Sequence, residues 1–314
     1  MKKYIGVDIG GMSVKIGLVN ENGNILDKKV IKTDGSAESV IRSLGTALQE
    51  FLEENHLSAA EIEGIGIGCP GAITAATGMV EYSNNLGWHH VPLVDGLRAY
   101  VDTYYKISND ANVAALGEAI FGAAKGYSDV IMFTLGTGVG GGIIIDKKLY
   151  EGNESKGAEL GHAVLVLDGE ECTCGRKGCI EAYCSASALI RDTKRAMVRH
   201  TDSAMWEYAN NDINNVNGRT AFAMARENDA AALEVVENYI KYLSESIMNY
   251  CNIFRPQAFV LGGGICGEGR YLLDKVEKYC KERNYGYQGT PEVKILTATL
   301  GNDAGIIGAA ALLV

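Results

Sequence analysis

Proline is scarce in this sequence, which has 4 Pro and 39 Gly among 314 residues. The glycines follow no Gly-X-Y period, which excludes a collagen-like chain and indicates tight turns and close backbone approaches. A long apolar run is also missing. The longest uncharged segment, 130–145, has 16 residues and is rich in glycine, whereas a membrane-spanning helix needs about 20 apolar residues. These absences argue against a fibrous or membrane-spanning protein.

Basic residues are the minority, with 29 Lys and Arg against 39 Asp and Glu and a formal net charge of −10. This balance repels nucleic-acid backbones and anionic lipid, and the sequence shows no local basic run. We therefore expect neither a nucleic-acid nor a membrane partner. Asp8 interrupts the first apolar run, so it does not resemble a signal peptide, and we expect a cytoplasmic protein.

Two segments share one construction, an apolar run, a glycine turn and a second apolar run. They are 4–19, with its turn at Gly10 and Gly11, and 129–146, with its turn at 136–142. β-Branched runs around a glycine turn predict β-hairpins. Two such hairpins, about 125 residues apart, predict two similar domains that each open with a hairpin.

The other segments alternate between helical and extended patterns. Helices are predicted at 39–54, 94–105, 111–124, 233–247, 271–283 and 304–313, and strands at 62–68, 106–108, 257–261 and 292–298. This alternation predicts α/β layers with buried sheets.

The second glycine turn matches the G-x-G-x-x-G dinucleotide fingerprint from Gly136 to Gly141. That fingerprint requires a helix after the glycines, but Ile143 to Ile145 predict a strand, so the context argues against a Rossmann site. A glycine hairpin can still direct backbone N–H groups at an anion, although an ordinary tight turn is the alternative. A third glycine cluster, 262–264, favours phosphate binding over ordinary turns.

The segments Asp8-x-Gly10-Gly11, 135–142 and 261–265 resemble the two phosphate segments and the adenosine segment of actin-like sugar kinases. More narrowly, nearly the whole chain resembles the ROK family (repressors, open reading frames and kinases), and within it the bacterial glucokinases. The resemblance implies an α/β fold of two actin-like (ribonuclease H-like) domains around a cleft, with mixed sheets flanked by helices. We expect an N-terminal domain at 1–115, joined by a C-terminal helix at 302–314, and a C-terminal domain at 116–301 with a zinc-binding insertion.

The resemblance also implies ATP with Mg²⁺ as cofactor. The nucleotide-binding residues it implies are Asp8, Gly10, Gly11, Ser13, Gly136, Thr137, Gly138, Gly262, Gly263 and Gly264. One position departs from the family, because Met12 follows Gly11 where a threonine is usual. The hydroxyl that this threonine could offer to phosphate is missing, and Ser13 comes next.

Asn109 and Asp110 stand where a predicted strand ends and an amphipathic helix begins. By position alone, Asp110 could be a helix N-cap or a general base. In the family this Asn-Asp pair binds sugar hydroxyls, which implies that Asp110 is the catalytic base. Further sugar contacts that the resemblance implies are Gly71, Asn85, Glu159, His162 and Glu181. Without it, a turn would explain the first two and a solvated surface charge each glutamate.

His162, Cys172, Cys174 and Cys179 lie within 18 residues, and one histidine with three cysteines suffices for a closed tetrahedral zinc site. The alternative is a group of reduced, buried cysteines without metal. The ROK pattern, G-H followed by C-x-C-G-x-x-G-C-x-E, is matched at every specified position. It implies a structural zinc, with the second ring nitrogen of His162 facing the sugar. Core positions are predicted for Cys69, Cys184, Cys251, Cys266 and Cys280.

The function implied by the resemblance is ATP-dependent phosphorylation of the 6-hydroxyl of glucose. The alternatives are the same reaction on N-acetylmannosamine, fructose, mannose or allose, or a sugar sensor without activity. ROK repressors carry an N-terminal helix-turn-helix, and a strand that starts at Tyr4 leaves no room for one. The family often forms dimers or tetramers, so we expect a homo-oligomer.

Overall fold

The computed structural model describes residues 2–283, 285–286 and 289–314. The strands are β1 (Lys3–Ile9), β2 (Ser13–Asn20), β3 (Ile25–Lys32), β4 (Ile65–Cys69), β5 (Ala72–Thr74), β6 (Met79–Ser83), β7 (Trp88–Val91), β8 (Tyr105–Asn109), β9 (Val130–Leu135), β10 (Val139–Ile145), β11 (Lys148–Tyr150), β12 (Ala258–Gly262) and β13 (Lys294–Thr297). The α-helices are α1 (Ala37–Glu54), α2 (Leu93–Arg98), α3 (Asp110–Ile120), α4 (Glu181–Cys184), α5 (Ala186–Arg199), α6 (Met205–Tyr208), α7 (Thr220–Arg226), α8 (Ala230–Phe254), α9 (Arg270–Arg283) and α10 (Ala304–Ala311).

The first five-stranded sheet has the order β3-β2-β1-β4-β8. β1 and β2 form the first predicted hairpin, in which Ile9 pairs with Val14, while β4 and β8 extend the sheet in parallel. The register places Asp8 beside Gly68 and Cys69 beside Asn109. Because parallel strands end at the same edge of a sheet, the chain segments that follow β1, β4 and β8 start close together.

Helix α10 packs on the backbone of this sheet and on α3. A Cβ at Gly66 would lie 1.8 Å from the carbonyl oxygen of Ala309, and one at Gly308 would lie 1.7 Å from that of Val113. No side chain fits into such gaps, so glycine permits a closer approach of helix to strand than any other residue.

Two predicted helices differ from the structure. The segment 94–105 is wrong as one helix, because α2 ends at Arg98 and Tyr105 pairs with Ile65 as the first residue of β8. The helix predicted at 111–124 ends at Ile120, since the Glu118 carboxylate accepts the N–H of Ala123 at 2.7 Å. Tertiary pairing in the first case, and a side-chain acceptor in the second, override the helical pattern.

The second five-stranded sheet has the order β11-β10-β9-β12-β13. β12 and β13 are parallel, with Ala258 opposite Lys294. The predicted helical stripe lies on α8, where Val236, Leu243 and Ile247 are buried. A small antiparallel sheet, β5-β6-β7, follows Gly71 and was not predicted. Mixed sheets and flanking helices confirm the predicted α/β class.

The chain divides into two compact units, 1–130 with 142–158 and 299–314, and 131–141 with 159–298. The domain borders predicted from the sequence remain a prediction, and the first of them, after residue 115, falls inside α3. Within the described ranges, the helices are too short or too polar to cross a bilayer.

Candidate functional site

The Asp8 carboxylate, at the end of β1, is held by two neighbours. The Lys15 ammonium lies 3.1 Å from Asp8 Oδ2 and donates another hydrogen bond to the Asn302 carbonyl at 3.1 Å. A Cβ at Gly305 would lie 2.4 Å from Asp8 Cγ, so only glycine at that position leaves room for the carboxylate. The acid is therefore fixed in place beside the first glycine turn.

Three hydrogen bonds shape this turn. Gly10 N donates to Ser13 O at 2.9 Å, and Thr33 donates from its hydroxyl to Gly10 O at 2.6 Å and from its N–H to Met12 O at 3.1 Å. Within the described residues, no acceptor is found for the N–H groups of Gly11 and Met12. These hydrogen bonds thus fix the carbonyl groups of the turn, and they leave successive N–H groups free to bind an anion. The Met12 side chain is 89% exposed.

Asn109 and Asp110 share the start of α3 with different roles. Asn109 is the N-cap, because its Oδ1 accepts from Ala111 N at 2.9 Å, and its Nδ2 donates to Gly71 O at 3.1 Å. Asp110 is the first helical residue, half-buried, and its Oδ1 also accepts from Ala111 N at 2.9 Å. The amide of Asn109 supplies the cap, so capping does not by itself account for an aspartate at 110.

Cys69 lies near two of the predicted site residues, Asp8 and Asp110. Burial raises the pKa of the Cys69 thiol, and the carboxylates of Asp110 and Asp8 raise that pKa further. The thiol therefore stays neutral, which agrees with its predicted core position. A Cβ at Gly11 would lie 3.4 Å from Asn85 O, so the backbone at Asn85, a predicted sugar contact, reaches the first glycine turn.

Most of the other predicted core cysteines are buried, namely Cys184, Cys251 and Cys280. Burial raises the pKa of Cys184 and of Cys280 to about 12. The prediction is wrong for Cys266, which is only half-buried because it lies in the short helical turn after β12.

The second glycine turn is also held by its carbonyl groups. Gly136 N donates to Gly138 O at 3.0 Å, Ala186 N donates to Gly136 O at 2.8 Å, and the Ser187 hydroxyl donates to Thr137 O at 2.8 Å. Among the described residues, the N–H groups of Thr137 and Gly138 have no acceptor. Both glycine turns therefore present free N–H donors, as phosphate binding requires.

Glu181 joins this turn to the cysteine segment. Its Oε2 accepts from Val139 N at 3.0 Å, and its Oε1 accepts from the Thr173 hydroxyl at 2.7 Å. A Cβ at Gly138 would lie 2.4 Å from Oε2, so glycine is needed there. Both carboxylate oxygens thus have protein partners, and a sugar hydroxyl would add to or replace one of them.

The predicted metal ligands converge. One ligand atom from each of His162, Cys172, Cys174 and Cys179 lies within 4.8 Å of all the others. Cys174 Sγ and Cys179 Sγ are 3.7 Å apart, and Cys172 Sγ is 3.7 Å from His162 Nδ1. Zinc–sulfur bonds of about 2.3 Å in a tetrahedron require sulfur separations of about 3.8 Å. Ligand types and spacing therefore fit zinc, bound through Nδ1 of the imidazole.

The remaining candidates lie in the second unit. Gly263, after β12, has a φ of +92°, and a Cβ there would lie 2.4 Å from Leu135 O. This position of the third glycine cluster therefore requires glycine. The Glu159 side chain is exposed, and its carbonyl accepts the N–H of His162 at 3.1 Å.

Each unit gathers its own share of the predicted site. The first holds Asp8, Gly10, Gly11, Ser13, Gly71, Asn85, Asn109 and Asp110, and the second holds Gly136, Thr137, Gly138, Glu159, His162, Cys172, Cys174, Cys179, Glu181 and Gly262–Gly264. Lys15 and Thr33 were not predicted from the sequence. A lysine seven residues after Asp8 on a hairpin was a usable signal, because antiparallel pairing sets the two side by side. No local pattern marks Thr33.

The chain is similar to known proteins over nearly its whole length. The ROK family model matches residues 4–314. The chain is 35% identical to a glucokinase of Halalkalibacterium halodurans, over 97% of this chain and 93% of that one, and 36% identical to a glucokinase of Thermotoga maritima, over 99% and 97%.

Among solved structures, a ROK family glucokinase from Streptomyces griseus in complex with glucose and AMPPNP has a TM-score of 0.82 and 35% identity. That match covers 99% of this chain and 98% of that one. The likeness confirms the predicted fold class of two actin-like domains with mixed sheets. This chain belongs to the ROK family.

Proposed function

We propose that this protein is an ATP-dependent glucokinase that transfers the γ-phosphoryl group of ATP to the 6-hydroxyl of glucose. The observation that carries the proposal is the placement of Asp110. It follows the sheet edge at which β1, β4 and β8 end, next to an Asn109 amide tied to Gly71. Full-length similarity to glucokinases, one of them bound to glucose and AMPPNP, supports glucose as the acceptor.

The free N–H groups of the two glycine turns serve as phosphate donors in this proposal. Those of Gly11 and Met12 hold one part of the triphosphate, and those of Thr137 and Gly138 hold another. Because backbone N–H groups supply these contacts, the turn works without the threonine hydroxyl that the family has in place of Met12. Mg²⁺, when bound with ATP, neutralises charge on the phosphates.

Asp110 is the general base in the proposed reaction. Its carboxylate accepts the proton of the 6-hydroxyl as the sugar oxygen bonds to the γ-phosphorus, and ADP leaves with the electron pair of the broken P–O bond. Such a base contributes about 10²–10⁴-fold to the rate. The Ala111 N–H bond to Asp110 Oδ1 holds the carboxylate in a fixed orientation.

Sugar binding is assigned to Gly71, Asn85, Asn109, Glu159, His162 and Glu181. His162, Cys172, Cys174 and Cys179 would hold a zinc ion, which supplies rigidity and no open coordination position. Since Nδ1 is the nitrogen near the thiols, Nε2 of His162 remains for a sugar hydroxyl.

Sugar-dependent ADP release in the presence of Mg²⁺ and ATP tests the proposal directly. Glucose is compared with N-acetylmannosamine, fructose, mannose and allose at one low concentration. A clear preference for glucose is expected. Preference for another sugar would keep the chemistry and replace the substrate, and no sugar-dependent release from folded protein would leave a sugar sensor as the function.

Asp110→Asn separates catalysis from binding. The amide keeps the size of the side chain but cannot accept the proton, so we expect normal folding and glucose binding with a loss of about 10²-fold or more in kcat. Asn85→Ala is the comparison, because it removes a proposed binding contact and should raise KM for glucose more than it lowers kcat. An Asp110→Asn enzyme with more than a tenth of the normal rate would rule out the assignment.

A further inference from the structure

A cavity of about 630 Å³ lies within the first unit and has no role in the proposed reaction. It is bordered by β8, α3 and β11 and by the last residues of the chain. Its volume is in the range of small-molecule sites, which is about 300–1,000 Å³. Four cationic side chains line it, namely Arg98, Lys106, Lys147 and Lys148.

These four cations come from three separate chain segments, so no basic run in the sequence marks them. In the part of the chain that the structure describes, none of the four forms an ion pair, whereas Lys29, for example, pairs with both Glu50 and Glu54. Unpaired positive charge gathered at one cavity is unexpected in a chain with a net charge of −10. Such a cluster produces a locally positive potential that attracts anions.

The only carboxylate side chain among the lining residues is Glu151. It already accepts a hydrogen bond from the Ser108 hydroxyl at 2.5 Å. It therefore offsets the four cations only in part.

The floor of the cavity is apolar. Ile107, Leu116 and Ala311 are buried there, and Leu149 is half-buried. Above this buried floor, the side chains of Tyr104 and Val314 are 56% and 61% exposed. A bare inorganic ion would leave these side chains open to water, whereas a ligand with a carbon skeleton and a phosphate group would cover them and face the cations at the rim.

The cavity is connected to the proposed catalytic residues through one strand. Tyr105, Lys106 and Ile107 of β8 line it, and the same strand ends at Asn109, next to Asp110. Glu151, on the cavity wall, holds Ser108 of this strand. A ligand that shifts Lys106 or Glu151 would therefore act on the position of Asn109 and Asp110.

We propose that this cavity binds a small phosphomonoester, of which a hexose phosphate is the best fit, at a site separate from the ATP and sugar sites. The phosphate faces Arg98, Lys106 and the two adjacent lysines, and the sugar carbons cover Tyr104 and Val314. Binding there alters the affinity for the acceptor sugar through β8.

Calorimetric titration of the full chain with glucose 6-phosphate tests the site. Saturating glucose and AMPPNP are present, so that the sites of the proposed reaction are blocked. The double variant Lys106→Ala/Lys147→Ala is compared with wild type. Lys241→Ala, which removes an exposed lysine of α8 in the other unit, is the control. Because the three lysines are exposed, the variants should fold normally.

Binding by wild type and by the control, with a Kd raised at least about tenfold in the double variant, is the expected result. Equal Kd values for wild type and double variant, or no binding at millimolar glucose 6-phosphate, would overturn the site. Inorganic phosphate is the second probe. Phosphate binding as tight as that of glucose 6-phosphate would overturn the role given to the exposed apolar side chains.

The binding measurement requires no turnover, so it is independent of the proposed kinase activity. The coupling through β8 rests on that activity and is read from the KM for glucose. Added glucose 6-phosphate should change KM in wild type more than in the double variant. An equal change in both would limit the inference to binding alone and overturn the coupling.

Discussion

Thr33 offers a direct test of how the first glycine turn binds phosphate. Its hydroxyl donates to Gly10 O at 2.6 Å and its N–H donates to Met12 O at 3.1 Å. Thr33→Val keeps the shape of the side chain and the backbone N–H, and it replaces only the hydroxyl with a methyl group. The Gly10 carbonyl then loses a partner in a half-buried setting, while the register of the strand is unchanged.

The loss of one such hydrogen bond costs about 1 kcal/mol. If the hydroxyl orders the turn for phosphate, this energy is lost from ATP binding and from the transition state, and kcat/KM for ATP falls about fivefold. The KM for glucose should change by less than about twofold, because the hydroxyl contacts only the nucleotide turn. Steady-state kinetics with each substrate varied in turn gives both values.

Thr33→Ser is the matched control, since it keeps the hydroxyl and loses only a methyl group. It should retain most of the wild-type kcat/KM for ATP. Equal losses in the serine and valine variants would show that packing of the methyl group matters and not the hydrogen bond. An unchanged kcat/KM for ATP in Thr33→Val would refute the reasoning altogether.

Three further predictions concern stability and metal. Gly66→Ala places a Cβ 1.8 Å from a carbonyl oxygen of α10 and should lower the free energy of unfolding in urea by about 3 kcal/mol, whereas Gly218→Ala, with nothing within 4 Å, should change it by less than about 0.5 kcal/mol. Elemental analysis should find roughly one zinc per chain in wild type and in Cys266→Ser, and none in Cys179→Ser. Glu118→Ala removes a fully buried carboxylate that accepts three backbone N–H groups, so it should cost about 3 kcal/mol or more by the same urea assay; a loss below about 1 kcal/mol would contradict the importance of these bonds.

Much of the local structure follows from local sequence. The first hairpin was predicted because apolar runs flank Gly10 and Gly11, and neighbouring strands pair through a short turn without help from distant residues. The convergence of His162 with the three cysteines is local in the same sense, since 18 residues contain all four. The roles of the individual site residues came from the family resemblance and remain predictions for the kinetic experiments above.

The helix predicted at 94–105 shows where a local pattern is insufficient. Its residues suit a helix, but Tyr105 is the first residue of strand β8. There it pairs with Ile65 of β4, forty residues earlier in the chain. Packing against β4 decides the conformation there, and a periodic pattern carries no information about that partner.

The sequence by itself determined the glycine turns, the group of one histidine and three cysteines and the alternation of strands and helices, because each depends on residues that are neighbours along the chain. Only the tertiary structure decided that Thr33 holds the first turn, that Glu118 binds the N–H groups of Thr299 and Leu300, and that four cations share one cavity. These contacts join residues that are far apart in sequence. They exist because the parallel order of β1, β4 and β8 and the packing of α10 bring distant segments together, and composition and periodicity do not encode that order.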